Sequence, residues 1–410
     1  MADSNIGGTT AASIAVHEHG AGSPLAGPGT GRRVSQPTDA RTERVASFDV
    51  GDFPVPTGRE EEWRFTPLDR LHGLHDGTAG DGGRADTTMQ VEVEADPVVV
   101  VETVGRDDPR VGSAGAPTDR VAAQAFSSFE KATVLTVPAE QVAARPTVVS
   151  LRGQGGTAYG HLVVDVKPFA QAVVVLDHGG SATYADTVEC LVGDGAQLTV
   201  VSLQDWDDGA VHLSHHVARL GRDARLKSVE VTFGGDLVRV FPQVTYTAPG
   251  GEAELLGLFF ADAGQHLEHR LFVDHAVPHC RSRVTYKGAL QGADAHSVWI
   301  GDVLIRAVAE GTDTYELNRN LVLTDGARAD SVPNLEIETG EIVGAGHASA
   351  TGRFDDEQLF YLMSRGIPAE EARRLVVRGF FAEVIAQIGI PEIEQRLLAE
   401  VEDELTGSVS

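Results

Sequence analysis

Cysteine is almost missing: Cys190 and Cys280 are the only two in 410 residues. Two distant thiols support no disulfide framework and suit a reducing compartment. Basic residues are also scarce, 33 against 60 acidic ones, which leaves a formal net charge of −27. A surface that acidic repels phosphate backbones and anionic lipid, so neither nucleic acid nor a membrane surface is an expected partner. The acid excess is more simply a solubility feature. No apolar run approaches eighteen residues, so no bilayer-spanning helix is expected. Met1 to Gly20 holds no basic stretch followed by an apolar core, so no secretory leader is expected and a cytoplasmic location is. The phosphate-cradling GxxxxGK[ST] pattern is absent, as are HExxH, CxxC, GxSxG and a dinucleotide fingerprint. The chain is therefore expected to bind no nucleotide itself and to fall outside the common enzyme classes.

What is present is an ordinary globular balance, 42% hydrophobic and 23% charged. Residues 1–42, rich in Gly, Ala, Ser, Thr and Pro, are expected to form a disordered tail. Residues 43–90 form an N-terminal segment in which Glu60-Glu61-Glu62-Trp63-Arg64-Phe65-Thr66-Pro67 suggests a short helical or extended piece anchored by Trp63 and Phe65. Residues 91–350 are written in strand language: His161–Val166, Ala172–Leu176 and Leu198–Val201 are short, β-branched and bounded by Gly, Asp or Pro. One helix interrupts near Ala122–Lys131. Helices do not alternate with the strands, which argues against a doubly wound parallel sheet.

A weak repeat runs through this region. Gly193 to Leu198, Gly221 to Leu226 and Gly250 to Leu255 each read as a glycine turn followed by Ala-x-Leu, with looser echoes at Gly292 and Gly326. Copies spaced roughly thirty to forty residues apart belong to solenoids and arrays. Each unit has room for strands and a tight turn but no helix, so stacking into a β-helix would bury each apolar face on its neighbour. A β-sandwich is the competing arrangement.

Residues 351–410 are helical in pattern. Gly366 stops one helix and Pro368 suits the first turn of the next, whose positions Ala372, Leu375, Val376, Gly379, Phe380, Val384 and Ile388 predict one apolar stripe. Gly389-Ile390-Pro391 breaks it before a last helix carrying Leu397, Leu398, Val401 and Leu405. The expected fold is mainly β: a β-helix core between a short N-terminal segment and a C-terminal α-helical unit.

Histidines gather at His212, His215 and His216, and again at His266, His269, His275 and His279 beside Cys280. Imidazole and thiolate suit zinc or iron, yet strand residues four apart stand about 13 Å from one another. His275 and His279 could share an ion only if Val277-Pro278 ends the strand. Hydrogen-bonded strand histidines, with Cys280 as a small buried hydrophobe, are the plainer reading. His347, in Gly344-Ala345-Gly346-His347-Ala348, lies where strands give way to helices.

Four linked motifs then bear on identity: the strand Pro333-Asn334-Leu335-Glu336-Ile337, the turn His347-Ala348-Ser349-Ala350-Thr351-Gly352, an acidic helix start, and Leu359-Phe360-Tyr361-Leu362-Met363-Ser364-Arg365-Gly366-Ile367. In that order they resemble the C-terminal signature of the SufB/SufD family of iron–sulfur cluster assembly scaffolds. Val273-Asp274-His275, Pro278 to Ser282, Tyr286-Lys287-Gly288, Asn318 to Leu321 and Glu61 to Pro67 extend the likeness over about residues 45–390. The resemblance implies a β-helix that pairs with a SufB-like paralogue, C-terminal helices that dock a SufC-type ABC ATPase, and a nascent iron–sulfur cluster shared at the subunit interface. It implies His347 as the cluster or iron ligand, and Leu375, Val376, Phe380 and Val384 as the partner-binding stripe. Many family members carry C-x-H at the turn, and here Ala345 takes the cysteine place. A SufB-like subunit needs thiolates for sulfur and iron, so a SufD-type scaffold, not an enzyme, is the expectation. The alternatives are a divergent SufB-like scaffold accepting sulfur on Cys280, and a β-helix enzyme acting on polysaccharide, for which grouped carboxylates are missing.

Overall fold

The computed structural model describes residues 45–354 and 356–407; the expected tail over 1–42 lies outside them. The strands are β1 (Gln90–Glu94), β2 (Val100–Val104), β3 (Ala132–Val137), β4 (Thr147–Val166), β5 (Gln171–Val192), β6 (Gln197–Trp206), β7 (Val211–Leu220) and β8 (Arg225–Thr232). They continue as β9 (Leu237–Tyr246), β10 (Glu252–Ala261), β11 (His266–His275), β12 (Arg281–Leu290), β13 (His296–Ile305), β14 (Asp313–Val322), β15 (Arg328–Ile337) and β16 (Gly344–Arg353). Helices are a single turn α1 (Ala79–Gly82), α2 (Arg120–Ser128), α3 (Asp356–Ser364), α4 (Ala369–Ile388) and α5 (Pro391–Gly407).

The strand order is β15-β13-β11-β9-β7-β5-β6-β8-β10-β12-β14-β16, and these neighbours are parallel. β5 is long enough to serve both faces: its first half pairs with β6 and its second half with β7. The result is a flattened parallel β-solenoid of about eight turns, with odd strands on one face and even strands on the other. It is the β-helix of the sequence reading, and not the sandwich.

Alternation decides what fills the lumen, since successive side chains point to opposite sides. One inward ladder runs Leu198, Leu226, Ala253, Ser282, Thr314, Ala345; the next runs Val200, Ser228, Leu255, Val284, Glu316, His347. The lumen is apolar in the middle and turns polar toward its C-terminal end. Glycines make room for aromatics inside: a Cβ at Gly257 would strike the Tyr286 ring and one at Gly288 the Phe259 ring.

Gly193, Gly221 and Gly250 do sit in the corners before β6, β8 and β10, which begin at 197, 225 and 252. Gly292 and Gly326 precede β13 and β15, so these looser echoes belong to the opposite corner. The third copy is also slid by two residues, because Leu198 and Leu226 align with Ala253 and not with Leu255.

Both outer faces are covered. On the even face, Val201, Leu203, Val229, Val231, Leu256, Leu258 and Phe260 pack against α4 and α5. On the odd face the N-terminal segment lies across the strands: Trp63 is buried, the Arg239 guanidinium sits 3.8 Å from its ring centre, and Thr66 Oγ1 donates to Glu268 Oε2 at 2.7 Å. Arg70 adds a 2.6 Å ion pair to Asp236. No helix among the described residues is long and apolar enough to cross a membrane.

Candidate functional site: the open end of the solenoid

β15 and β16 end the strand order, and among the described residues no strand pairs with their outer edges. Edge strands present unpaired N–H and C=O groups, and here two lie side by side at the mouth of the lumen. His347 stands on β16 in register with Glu316 on β14. Strand alternation places both on the inward side, yet His347 is exposed because no further turn covers it.

Behind it the lumen is lined with polar groups. Asn320 Nδ2 donates to Asn318 Oδ1 at 2.9 Å and to Ser331 Oγ at 2.9 Å, and Ser331 Oγ donates to Asn318 Oδ1 at 2.6 Å. Both carboxyl oxygens of Glu316 are buried without a hydrogen-bond partner. Burial, with the charge of Asp302 added, pushes this carboxyl up to about 8, so at neutral pH it is a neutral donor. One exposed imidazole and one protonated carboxyl cannot hold an iron–sulfur cluster alone, since clusters call for thiolate ligands.

The two thiols are elsewhere and inert. Burial pushes Cys190 up to about 12 and raises Cys280, and both are buried. A protonated, buried thiol is a poor nucleophile and a poor ligand.

The partner-binding positions divide. The buried side of α4 is Ala372, Val377, Phe381, Val384, Ile385 and Ile388, rotated by one residue in its middle from the stripe expected of the sequence. Val384 is thus part of the internal core. Phe380 is half-buried with the Lys287 ammonium 5.0 Å from its ring centre, Val376 is half-buried, and Leu375 is 44% exposed. Phe360, Tyr361 and Met363 on α3 are exposed as well, so within the C-terminal unit α3 and the start of α4 carry exposed apolar side chains.

The histidine groups separate by alternation. His269 points inward, 3.0 Å from Thr232 Oγ1, and His275 points inward, 2.9 Å from Ser282 Oγ. His266 points outward beside His296 and Glu268. The strand does end at His275, but His279 then adopts φ +61° in an exposed turn and meets no second imidazole. His215 stacks outward on Phe241, whereas His212 enters the lumen.

A solenoid with one uncovered, polar end presents two free strand edges to whatever body meets it. Residues 149–380 match the family described as SUF system FeS cluster assembly, SufBD core domain, and the chain belongs to that family. It is 60% identical over 389 residues to the iron–sulfur cluster assembly SufBD family protein Rv1462 of Mycobacterium tuberculosis, covering 93% of this chain and 97% of that one. It is 25% identical over 388 residues to the iron–sulfur cluster assembly protein SufD of Escherichia coli, covering 86% and 90%. Mycobacterium bovis has both a 60% identical relative, Mb1497, and a 26% identical one, Mb1496, the latter matched over 55% of this chain and 26% of its own length.

Proposed function

We propose that this chain is the SufD-type subunit of a SufB–SufC–SufD complex that assembles iron–sulfur clusters. The observation that carries the reading is the open end: two unpaired edges beside an exposed His347, with no thiol in reach. A SufB-like paralogue pairs with that end, covers the edges and supplies the thiolates that this chain lacks. His347 then offers one nitrogen ligand, or a hydrogen bond, to the nascent cluster, which is cargo shared across the interface. Two SufBD relatives in one organism, Mb1497 and Mb1496, fit a scaffold that works beside a paralogue.

The exposed apolar residues Phe360, Tyr361, Met363 and Leu375 fit docking of a SufC-type ABC ATPase on α3 and α4. Motion of that partner has a route inward, because Lys287 on β12 donates to Phe380 O at 2.8 Å and pairs with Glu383 at 2.6 Å. The rival reading, a SufB-like subunit taking sulfur on Cys280, is disfavoured by that thiol's burial and raised pKa. The test is affinity purification of the full chain from cytosol of its host: recovery of an ABC-type ATPase and a second SufBD protein supports the assignment, and recovery of neither overturns it.

A further inference from the structure

The opposite end of the lumen holds a second group of ligand-bearing side chains. His178 lies on the first half of β5, Asp186 on its second half and His212 on β7. His178 and Asp186 share one strand yet face each other, because β5 turns the corner at Gly179-Gly180. Gly180 takes φ +78°, and a Cβ there would strike the Gly153 carbonyl. All three side chains are buried, and one ligand atom from each lies within 4.8 Å of the other two.

Their hydrogen bonds fix the tautomers. His178 Nδ1 donates to the Leu203 carbonyl at 3.0 Å, so Nε2 keeps its lone pair; that atom is buried and has no partner. Gln204 Nε2 donates to Ser202 Oγ, and Gln204 Oε1 accepts from Trp206 Nε1 at 2.7 Å, which orients the amide. His212 Nδ1 must then be the donor in its 2.7 Å contact with Gln204 Oε1. That leaves His212 Nε2 facing Asp186 Oδ1 at 3.0 Å. Two nitrogen lone pairs and a carboxylate converge, each imidazole held from behind by an oxygen, which is how metal-binding histidines are oriented.

We propose that His178, His212 and Asp186 bind one first-row divalent cation, Zn2+ or Fe2+, inside the N-terminal end of the solenoid. Two nitrogens and a carboxylate oxygen without thiolate suit these ions better than Mg2+ or Ca2+, which take oxygen sets, or Cu(I), which takes sulfur. Tetrahedral coordination with bonds of about 2.0–2.1 Å sets ligand atoms about 3.3 Å apart, within a small side-chain adjustment of the geometry present. A cavity of about 700 Å³, lined by Tyr184, Met89, Val93 and Leu151, reaches His178 and Asp186. Six strand spacings separate β5 from β16, about 29 Å at about 4.8 Å each, so this site is distinct from the His347 end and stands without the proposed function.

The test uses the full chain, stripped with chelator and titrated with Co2+ as a spectroscopic probe, with Zn2+ against a chromophoric chelator, and with Fe2+ under anaerobic conditions. One equivalent is expected, with the visible bands of a nitrogen–oxygen site. Affinity should fall at least about 100-fold in His178→Gln and in Asp186→Asn, and about 10–100-fold in Gln204→Leu, which removes the oxygen behind His212 together with the amide's bonds to Ser202 and Trp206. His347→Ala should bind as the parent does. Circular dichroism identifies any variant that does not fold, and the remaining ones carry the comparison. Parent binding no tighter than that of the folded His178 or Asp186 variants, or loss of the equivalent in His347→Ala, overturns the proposal.

Discussion

Glu316 and His347 are register partners on the last two strands of the even face, one sealed from water with both oxygens unpartnered and the other exposed on a free edge. The neutral carboxyl of Glu316 therefore sits one strand spacing, about 4.8 Å, behind the imidazole-bearing edge. Burial keeps it neutral, and Asp302 adds like charge.

That relationship has a pH signature. A carboxyl held at about 8 in the folded chain keeps its proton where the unfolded chain has lost it, so the contribution of Glu316 to stability is greatest below the unfolded value near 4.5 and falls as pH rises toward 8. Glu404, pushed up to about 8 by burial and by its hydrogen bond with Asp262, adds the same sign. Glu316→Gln should match the parent at pH 5 and exceed it at pH 8.5, by up to about 4 kcal/mol. Urea unfolding across that range checks it, and parallel curves for the two proteins would show that Glu316 ionises normally.

Removing the imidazole at His347 should leave stability within about 0.5 kcal/mol, since the side chain is exposed. In a complex reconstituted with the proposed SufB-like paralogue and ABC-type ATPase, His347→Ala should lower the yield of cluster, followed by visible absorbance. An unaltered yield would remove this residue from the proposed site.

The two sides of α4 should respond differently. Phe381→Ala empties the core between helix and solenoid and is expected to cost about 3–5 kcal/mol. Leu375→Ala should change stability by less than about 0.5 kcal/mol while weakening capture of the ATPase. Thermal unfolding and co-purification measured on the same pair separate core from docking surface.

Inside the lumen, Gly257→Ala would drive a methyl group into the Tyr286 ring, for an expected loss of about 1–3 kcal/mol. Pairing it with Tyr286→Leu should recover part of that loss. A fully additive double variant, measured by denaturant midpoint, would mean that the two positions do not compete for space.

The solenoid was legible because its corners are marked by glycine and its strands by β-branched runs. Finer placement was not. Gly292 and Gly326 look like Gly193 in text, but whether a turn lies at one corner or the other depends on counting strands. The α4 stripe was read one residue out of phase at Val376 and Phe380, because Val377 and Phe381 beside them are equally apolar and only the packed solenoid distinguishes them. His347 stood out through a resemblance, not through its own chemistry. Glu316 left no signal, since its burial follows from strand parity. His178, Asp186 and His212 were invisible as a group: they meet only because a strand of 22 residues bends at Gly179-Gly180, and no spacing rule encodes that bend.

The stacked architecture fixes where the molecule opens first. Each turn is held by the turns on either side of it, and the terminal one, β15 with β16, has a neighbour on one side only. Amide exchange should therefore be graded along the solenoid axis and quickest at the His347 edge, so a body seated there would slow exchange locally while the middle turns, already protected, register nothing.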